Sequence, residues 1–190
     1  MGEVEGQVRE ETLDGEREAR RRVALAQVRQ YPDSVLRMRA NEVDEFDDAL
    51  RRLVERMGRL MQDARGVGLA ANQVGILRRV LVFRVEEDGP VTALVNPRIV
   101  SSSDEQATGE EGCLSLGAAT VVVPVERAER IGVQASSPEG EPVTIEADGL
   151  EARVIQHEVD HLDGILTIDR AMDQDRRAAL AKLRRQPAPA

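Results

Sequence analysis

Gln156-His157-Glu158-Val159-Asp160-His161 contains both histidines of the chain. Residues four apart on a helix point the same way about one turn up, so His157 and His161 can offer their imidazoles to one cation. Glu158 lies one position round, near such an ion without needing to bind it, a suitable place for a general acid and base. Val154, Ile155 and Leu162 fall near the same side and turn the histidines inward. The plainer alternative is a pair of histidines that merely decorate a helix. It is disfavoured because the only two histidines share one H-E-x-x-H pentad inside an apolar pattern.

A catalytic metal centre commonly uses three protein ligands and keeps one position open. The third ligand cannot be histidine, because none remains. Zinc proteases with a third, downstream histidine are thereby excluded, whereas those with a downstream glutamate are not. Cys113, the only cysteine, is the more attractive candidate and stands in Glu110-Glu111-Gly112-Cys113-Leu114-Ser115-Leu116. A lone cysteine is often just a small buried hydrophobe. As a nucleophile it would need a histidine to activate it, and both histidines already have a use. Thiolate ligation is the best of the three readings.

A third segment is Gly66-Val67-Gly68-Leu69-Ala70-Ala71-Asn72-Gln73-Val74-Gly75. It formally matches the dinucleotide fingerprint, but that motif must follow a strand and open a helix, and this one follows a helical pattern. It reads as a structural loop or, functionally, as small residues that let a substrate backbone lie close. In the functional reading the Gln73 amide donates a hydrogen bond to developing charge.

These segments need elements to hold them. Phe46, Leu50, Leu53, Val54, Met57, Leu60, Met61 and Ala64 recur at three- and four-residue steps, predicting an amphipathic helix over 44–64 closed by Gly66. Short β-type runs at 79–85, 91–95, 120–125, 131–135 and 143–147, with turns at Asp88-Gly89-Pro90 and Pro138-Glu139-Gly140, predict antiparallel pairing. Asp148, with Glu151 three residues on, is expected to cap a helix over 150–162 that Gly164 ends. A last helix is expected over 174–185. The layout is α+β, with mainly antiparallel sheets around a central helix carrying H-E-x-x-H, an N-terminal amphipathic helix and a C-terminal helix. It divides into a charged arm over 1–28 (a solvated helix or a disordered extension), one catalytic domain over 29–185, and a frayed tail over 186–190.

Composition narrows the class. The 190 residues carry a net charge of −9, with Lys182 the only lysine, which argues against a nucleic-acid module. Phe46, Phe83 and Tyr31 are the only aromatics, so base-stacking platforms are excluded and the core must be aliphatic. No apolar run approaches the ~20 residues that span a bilayer, and the charged first thirty residues lack the ~7–15-residue apolar stretch of a signal peptide. A single cysteine permits no internal disulfide, and a reducing, cytoplasmic compartment is expected.

Taken together, Gly66-Val67-Gly68-Leu69-Ala70-Ala71-Asn72-Gln73, Glu111-Gly112-Cys113-Leu114-Ser115 and Gln156-His157-Glu158-Val159-Asp160-His161 resemble the three signature motifs of peptide deformylases, in the family's order. Tyr31-Pro32-Asp33-Ser34-Val35-Leu36-Arg37 is similar to the family's start. The resemblance implies that Cys113, His157 and His161 bind one divalent metal, typically Fe²⁺, which Zn²⁺, Ni²⁺ or Co²⁺ can replace. It implies hydrolysis of the formyl group from N-formyl-methionyl polypeptides, at or near the ribosome. The Gln73 amide and Leu114 N–H would hold the oxyanion, and Glu158 would carry the proton. Gly68 and Gly112 would contact the substrate backbone, and an apolar pocket including Ile155 would take the methionine. Two departures stand out. Gly117-Ala118-Ala119-Thr120 replaces the family's usual proline, and Val121-Val122-Val123 replaces the polar residues that often follow. The open alternatives are a metallopeptidase using the same helix and a catalytically idle deformylase-like binding protein.

Overall fold

A computed structural model describes residues 2–86 and 88–185, the first twelve as backbone only. The expected frayed tail lies outside them. The charged arm forms one long helix, α1 (Gly2–Leu25), whose end buries Ala24 against the rest of the chain. The amphipathic segment forms α2 (Asp48–Asp63), which starts four residues later than its periodicity suggests. Asp47 is its N-cap, accepting from Leu50 N at 2.9 Å, so the acidic run before it stays outside the helix. Leu50, Leu53, Met57, Leu60 and Met61 form its buried stripe. Gly66 is not the residue that closes it. Arg65 takes the left-handed conformation, with φ 59°, and Gly66 N then bonds back to Met61 O at 2.8 Å.

Five strands form the main sheet in the order β1-β2-β3-β6-β7, all neighbours antiparallel. They are β1 (Gly68–Ala70), β2 (Val80–Phe83), β3 (Thr92–Ser102), β6 (Arg130–Ser136) and β7 (Pro142–Asp148). In β2, Val80 and Val82 face the cluster built by α2, while Leu81 and Phe83 face the opposite cluster. Period-two alternation thus puts both strand faces to use, and β2 is buried throughout. The opposite cluster is built on α3 (Gly149–Leu162), whose Ala152, Val154, Ile155, Val159 and Leu162 meet the sheet. A separate hairpin pairs β4 (Gln106–Gly112) with β5 (Val122–Ala128) from Gln106↔Ala128 to Gly112↔Val122. A third cluster joins Val123 and Val125 to Leu36, Leu166, Ile168 and Ala179. The last two residues lie on α4 (Thr167–Arg170) and α5 (Asp173–Leu183).

Several expectations change. β3 runs on to Ser102 although residues beyond 95 lack a β-type pattern, and β4 was not expected because its sequence, Gln-Ala-Thr-Gly-Glu-Glu-Gly, has almost no apolar content. A ladder of backbone bonds to a neighbouring strand makes it a strand anyway. β1 lies inside the glycine-rich segment that reads as loop. Asp148 stands at the N-cap of α3 but its side chain makes no capping bond. Gly164 ends α3 as expected, at φ 76°, where a Cβ would come within 2.8 Å of the Arg37 carbonyl carbon.

Candidate active site

Three elements converge between the sheets. α3 supplies His157, Glu158 and His161, the turn after β4 supplies Cys113, and the short helical turn after β1 supplies Gln73. The ligand atoms of Cys113, His157 and His161 all lie within 4.8 Å of one another. Cys113 Sγ stands 3.1 Å from His161 Nε2, and the two imidazole rings meet edge to face with centroids 4.9 Å apart. His157 turns Nδ1 to Glu111 Oε2 at 2.9 Å, which leaves Nε2 for an ion and fixes the ring. His161 is held by its helix, with the Asn72 side-chain amide bonded to its carbonyl.

The electrostatics fit a cation. Burial, aided by the charges of His157 and Arg127, holds His161 well below its ordinary value, so it is neutral and able to ligate. Burial acts the same way on His157, but the neighbouring thiol and Glu111 outweigh it and raise that group. A thiol and two imidazoles whose ligand atoms lie this close, with a carboxylate behind one ring, suit a divalent metal whose binding releases protons.

Glu158 is only 4% exposed, and its Oε2 has no hydrogen-bond partner among the described residues. Burial pushes its carboxyl up to about 7, where it can both take and return a proton near neutrality. Gln73 is oriented by its own backbone neighbour. Its Oε1 accepts from Ala70 N at 2.8 Å, so its Nε2 points at Cys113 Sγ (3.6 Å) and Ser115 Oγ (3.2 Å). The side-chain donor therefore reaches the ligand cluster itself.

A cavity of about 210 Å³ opens over these groups. Gly66, Val67, Gly68, Gly112, Leu114 and His157 line it, together with Leu150 and Val154 of α3. It fits one side chain better than a whole small-molecule ligand, whose pockets run roughly 300–1,000 Å³. Ile155 is not part of it. This residue is fully buried on the sheet-facing side of α3, one position round from Val154.

Gly68 has a structural reason as well as any contact with substrate. A Cβ there would stand 2.8 Å from Glu158 Cδ and 2.9 Å from Cγ, so the carboxylate occupies the space the glycine leaves. Gly68→Ala is expected to fold, because the obstacle is the end of a side chain, but to push Glu158 off position. A displacement near 1 Å costs about 10²-fold in rate. Comparing kcat and thermal melting in this variant tests the point, and an unchanged kcat would count against it.

The sequence reading missed the residues that brace the site. Arg29 N bonds to Gln73 O (2.7 Å), Gln30 Nε2 to Leu114 O (2.8 Å) and Tyr31 N to Ser115 O (2.9 Å), so one short segment ties two motif loops together. Arg29 and Gln30 carry no signal beyond their position, and Tyr31 opens the segment similar to the family's start. Behind His157 lies a buried ionic network. Arg127 grips Glu111 with Nε and Nη2 (2.7 and 2.9 Å) and Asp160 with Nη1 (2.7 Å), while Arg153 and Arg170 bond to the same two carboxylates. Burial alone would raise Glu111, but its bonds from Arg127 and His157 win and hold it at about 2. It is a fixed anion behind the ligating ring.

Fold and site together define an α+β protein with a cysteine–bis-histidine centre and an adjacent buried carboxyl, the class of the metal-dependent hydrolases. The model of the polypeptide deformylase family matches residues 25–177, and the chain belongs to that family. It is 45% identical over 162 residues to a peptide deformylase of Acidothermus cellulolyticus, covering 85% of this chain and 87% of that one. Its structure is similar to a Synechococcus elongatus peptide deformylase solved with actinonin, with TM-score 0.79, 37% identity and coverage of 86% and 90%. It is also similar to the Thermotoga maritima enzyme, with TM-score 0.73, 44% identity and coverage of 76% and 96%.

Proposed function

We propose that this chain removes the N-formyl group from the formyl-methionine of newly made polypeptides and releases formate, as a single catalytic domain over 29–185 organised around α3. The observation that carries the reading is the meeting of Cys113, His157 and His161 within 4.8 Å, beside a buried, unpartnered Glu158 at the floor of a cavity. Cys113, His157 and His161 hold one divalent ion, Fe²⁺ in this reading, which supplies Lewis-acid activation of water and of the formyl carbonyl. The donor set of one soft and two borderline ligands suits Fe²⁺, Zn²⁺, Ni²⁺ or Co²⁺.

The chain's own residues do the rest. Val154, Leu150 and Val67 receive the methionine side chain, and Gly66 to Gly68 with Gly112 leave room for the peptide backbone. As the formyl carbon becomes tetrahedral, Gln73 Nε2 and the Leu114 N–H donate to its oxygen, each donor contributing about 3 kcal/mol. Glu158 accepts the proton of the attacking water and passes it to the departing amine. No described helix is long and apolar enough to cross a membrane, and we place the reaction in the cytoplasm, on chains emerging from ribosomes.

Formate release from a formyl-Met-peptide, measured anaerobically with Fe²⁺, tests the activity, and absence of turnover with metal bound would favour the idle binding protein. Cys113→Ala is expected to abolish both metal retention and formate release. Full metal occupancy in that variant, read by elemental analysis, would instead favour a metallopeptidase whose third ligand is a carboxylate.

A further inference from the structure

Arg65 ends α2 in a left-handed conformation, is exposed, and lines the mouth of the active-site cavity. The other guanidinium lining that cavity, Arg153, is committed to Glu111 Oε1 (2.8 Å) and to the carbonyls of Val125 and Ala107 (3.0 and 2.6 Å). Arg65 makes no ion pair among the described residues, so its charge is available to whatever enters. A second, shallow hollow is lined by Arg65 together with Arg17 and Arg20 of α1, Gln62 and Asp63. The arm helix thus places two further guanidinium groups near Arg65, together with the carboxylate of Asp63. Among the described residues Arg17 and Arg20 have only loose local partners, Asp14 at 3.8 Å and Glu16 at 3.6 Å, with all four side chains mostly exposed. The exposed Glu110 lines the same cavity and has no cation partner among the described residues either, so the lining carries one free charge of each sign.

We infer that Arg65 makes this enzyme prefer formyl-methionyl chains carrying Asp or Glu within two residues after methionine over those carrying Lys or Arg there. The inference rests on the deformylase reading and adds a substrate class to it. Attraction of one sign and repulsion of the other at a partly screened mouth give a preference of roughly five- to tenfold, of the size exposed pairs support. It acts on KM rather than kcat, because the charge lies away from the reacting atoms, and it fades between 0.05 and 1 M salt as the screening length shrinks from about 14 Å to about 3 Å.

The test compares formyl-Met-Ala-Ser, formyl-Met-Ala-Glu and formyl-Met-Ala-Lys, with their position-two counterparts, in the wild type, Arg65→Glu and Glu110→Gln. The expected result is an acidic-over-basic ratio of kcat/KM near five to ten in the wild type, inverted in Arg65→Glu. The neutral peptide should be cleaved at the wild-type rate in both variants. Glu110→Gln should widen the ratio and leave its dependence on Arg65 intact. Equal ratios in the wild type and Arg65→Glu, with normal turnover of the neutral peptide, would overturn the inference alone. A wild type inert on the neutral peptide as well would overturn the deformylase reading with it.

Discussion

Glu158→Gln is expected to lower kcat for formate release by about 10²–10⁴-fold while the protein keeps its metal and its fold. Glutamine has the same shape but can neither take a proton nor give one back at neutral pH. The wild-type carboxyl is 4% exposed and leaves one oxygen without a partner among the described residues, so the amide enters without breaking a hydrogen bond at that oxygen. The ligand atoms belong to Cys113, His157 and His161, so the ion should remain. Elemental analysis beside single-turnover kinetics reads both quantities. Turnover equal to wild type would remove Glu158 from the proton path and leave the site without an assigned base.

The second large effect concerns stability. Arg127→Met is expected to destabilise the fold by about 3–5 kcal/mol, because it leaves two buried carboxylates short of a cation. Arg127 is 5% exposed and joins Glu111 of β4 to Asp160 of α3, so it connects the hairpin carrying Cys113 with the helix carrying both histidines. A chain of this size should melt roughly 6–20 °C lower. Glu111 keeps Arg153 and His157, and Asp160 keeps Arg170, so the loss should stop short of complete unfolding. Glu111→Gln weakens the same network and adds an effect on the metal, so its melting curve is read beside its metal affinity. It removes the anion behind His157 Nδ1, and metal affinity should fall 10–100-fold, the usual cost of losing such a partner. Melting curves of Arg127→Met within 1 °C of wild type would show that the network is dispensable.

Much of the site could be read from the chain because its spacing is helical. His157, Glu158 and His161 sit on one helix, where a one-dimensional pattern fixes a three-dimensional relation to within a turn. The same holds for α2, whose apolar stripe matches the residues buried in it. Ile155 shows the limit. Periodicity brings it near the histidines, yet one step along a helix is a rotation of about 100°, so Val154 borders both the cavity and the core while Ile155 lies in the core alone. β4 shows another limit, since its strand character comes from its partner β5 rather than from its own residues. The helix end shows a third. Gly66 was the natural closing residue, but Arg65 takes the positive φ, and a Cβ on Gly66 would meet Leu114 Cδ1 at 2.9 Å. A side chain there would press on a contact between segments far apart in sequence.

The amino-acid order alone determined the chemistry: one thiol and two imidazoles, residue types so scarce here that few assignments were possible, and a carboxyl singled out among many by its place between the histidines. Only the folded chain decided which side chains orient them. The carboxylate behind His157, the arginine bridging β4 to α3, and the 29–31 segment that ties Gln73 to Leu114 and Ser115 act across long stretches of sequence. Hydrogen bonds and ion pairs of that kind depend on distances in space, and a linear pattern holds no record of those until the sheets close around the helix.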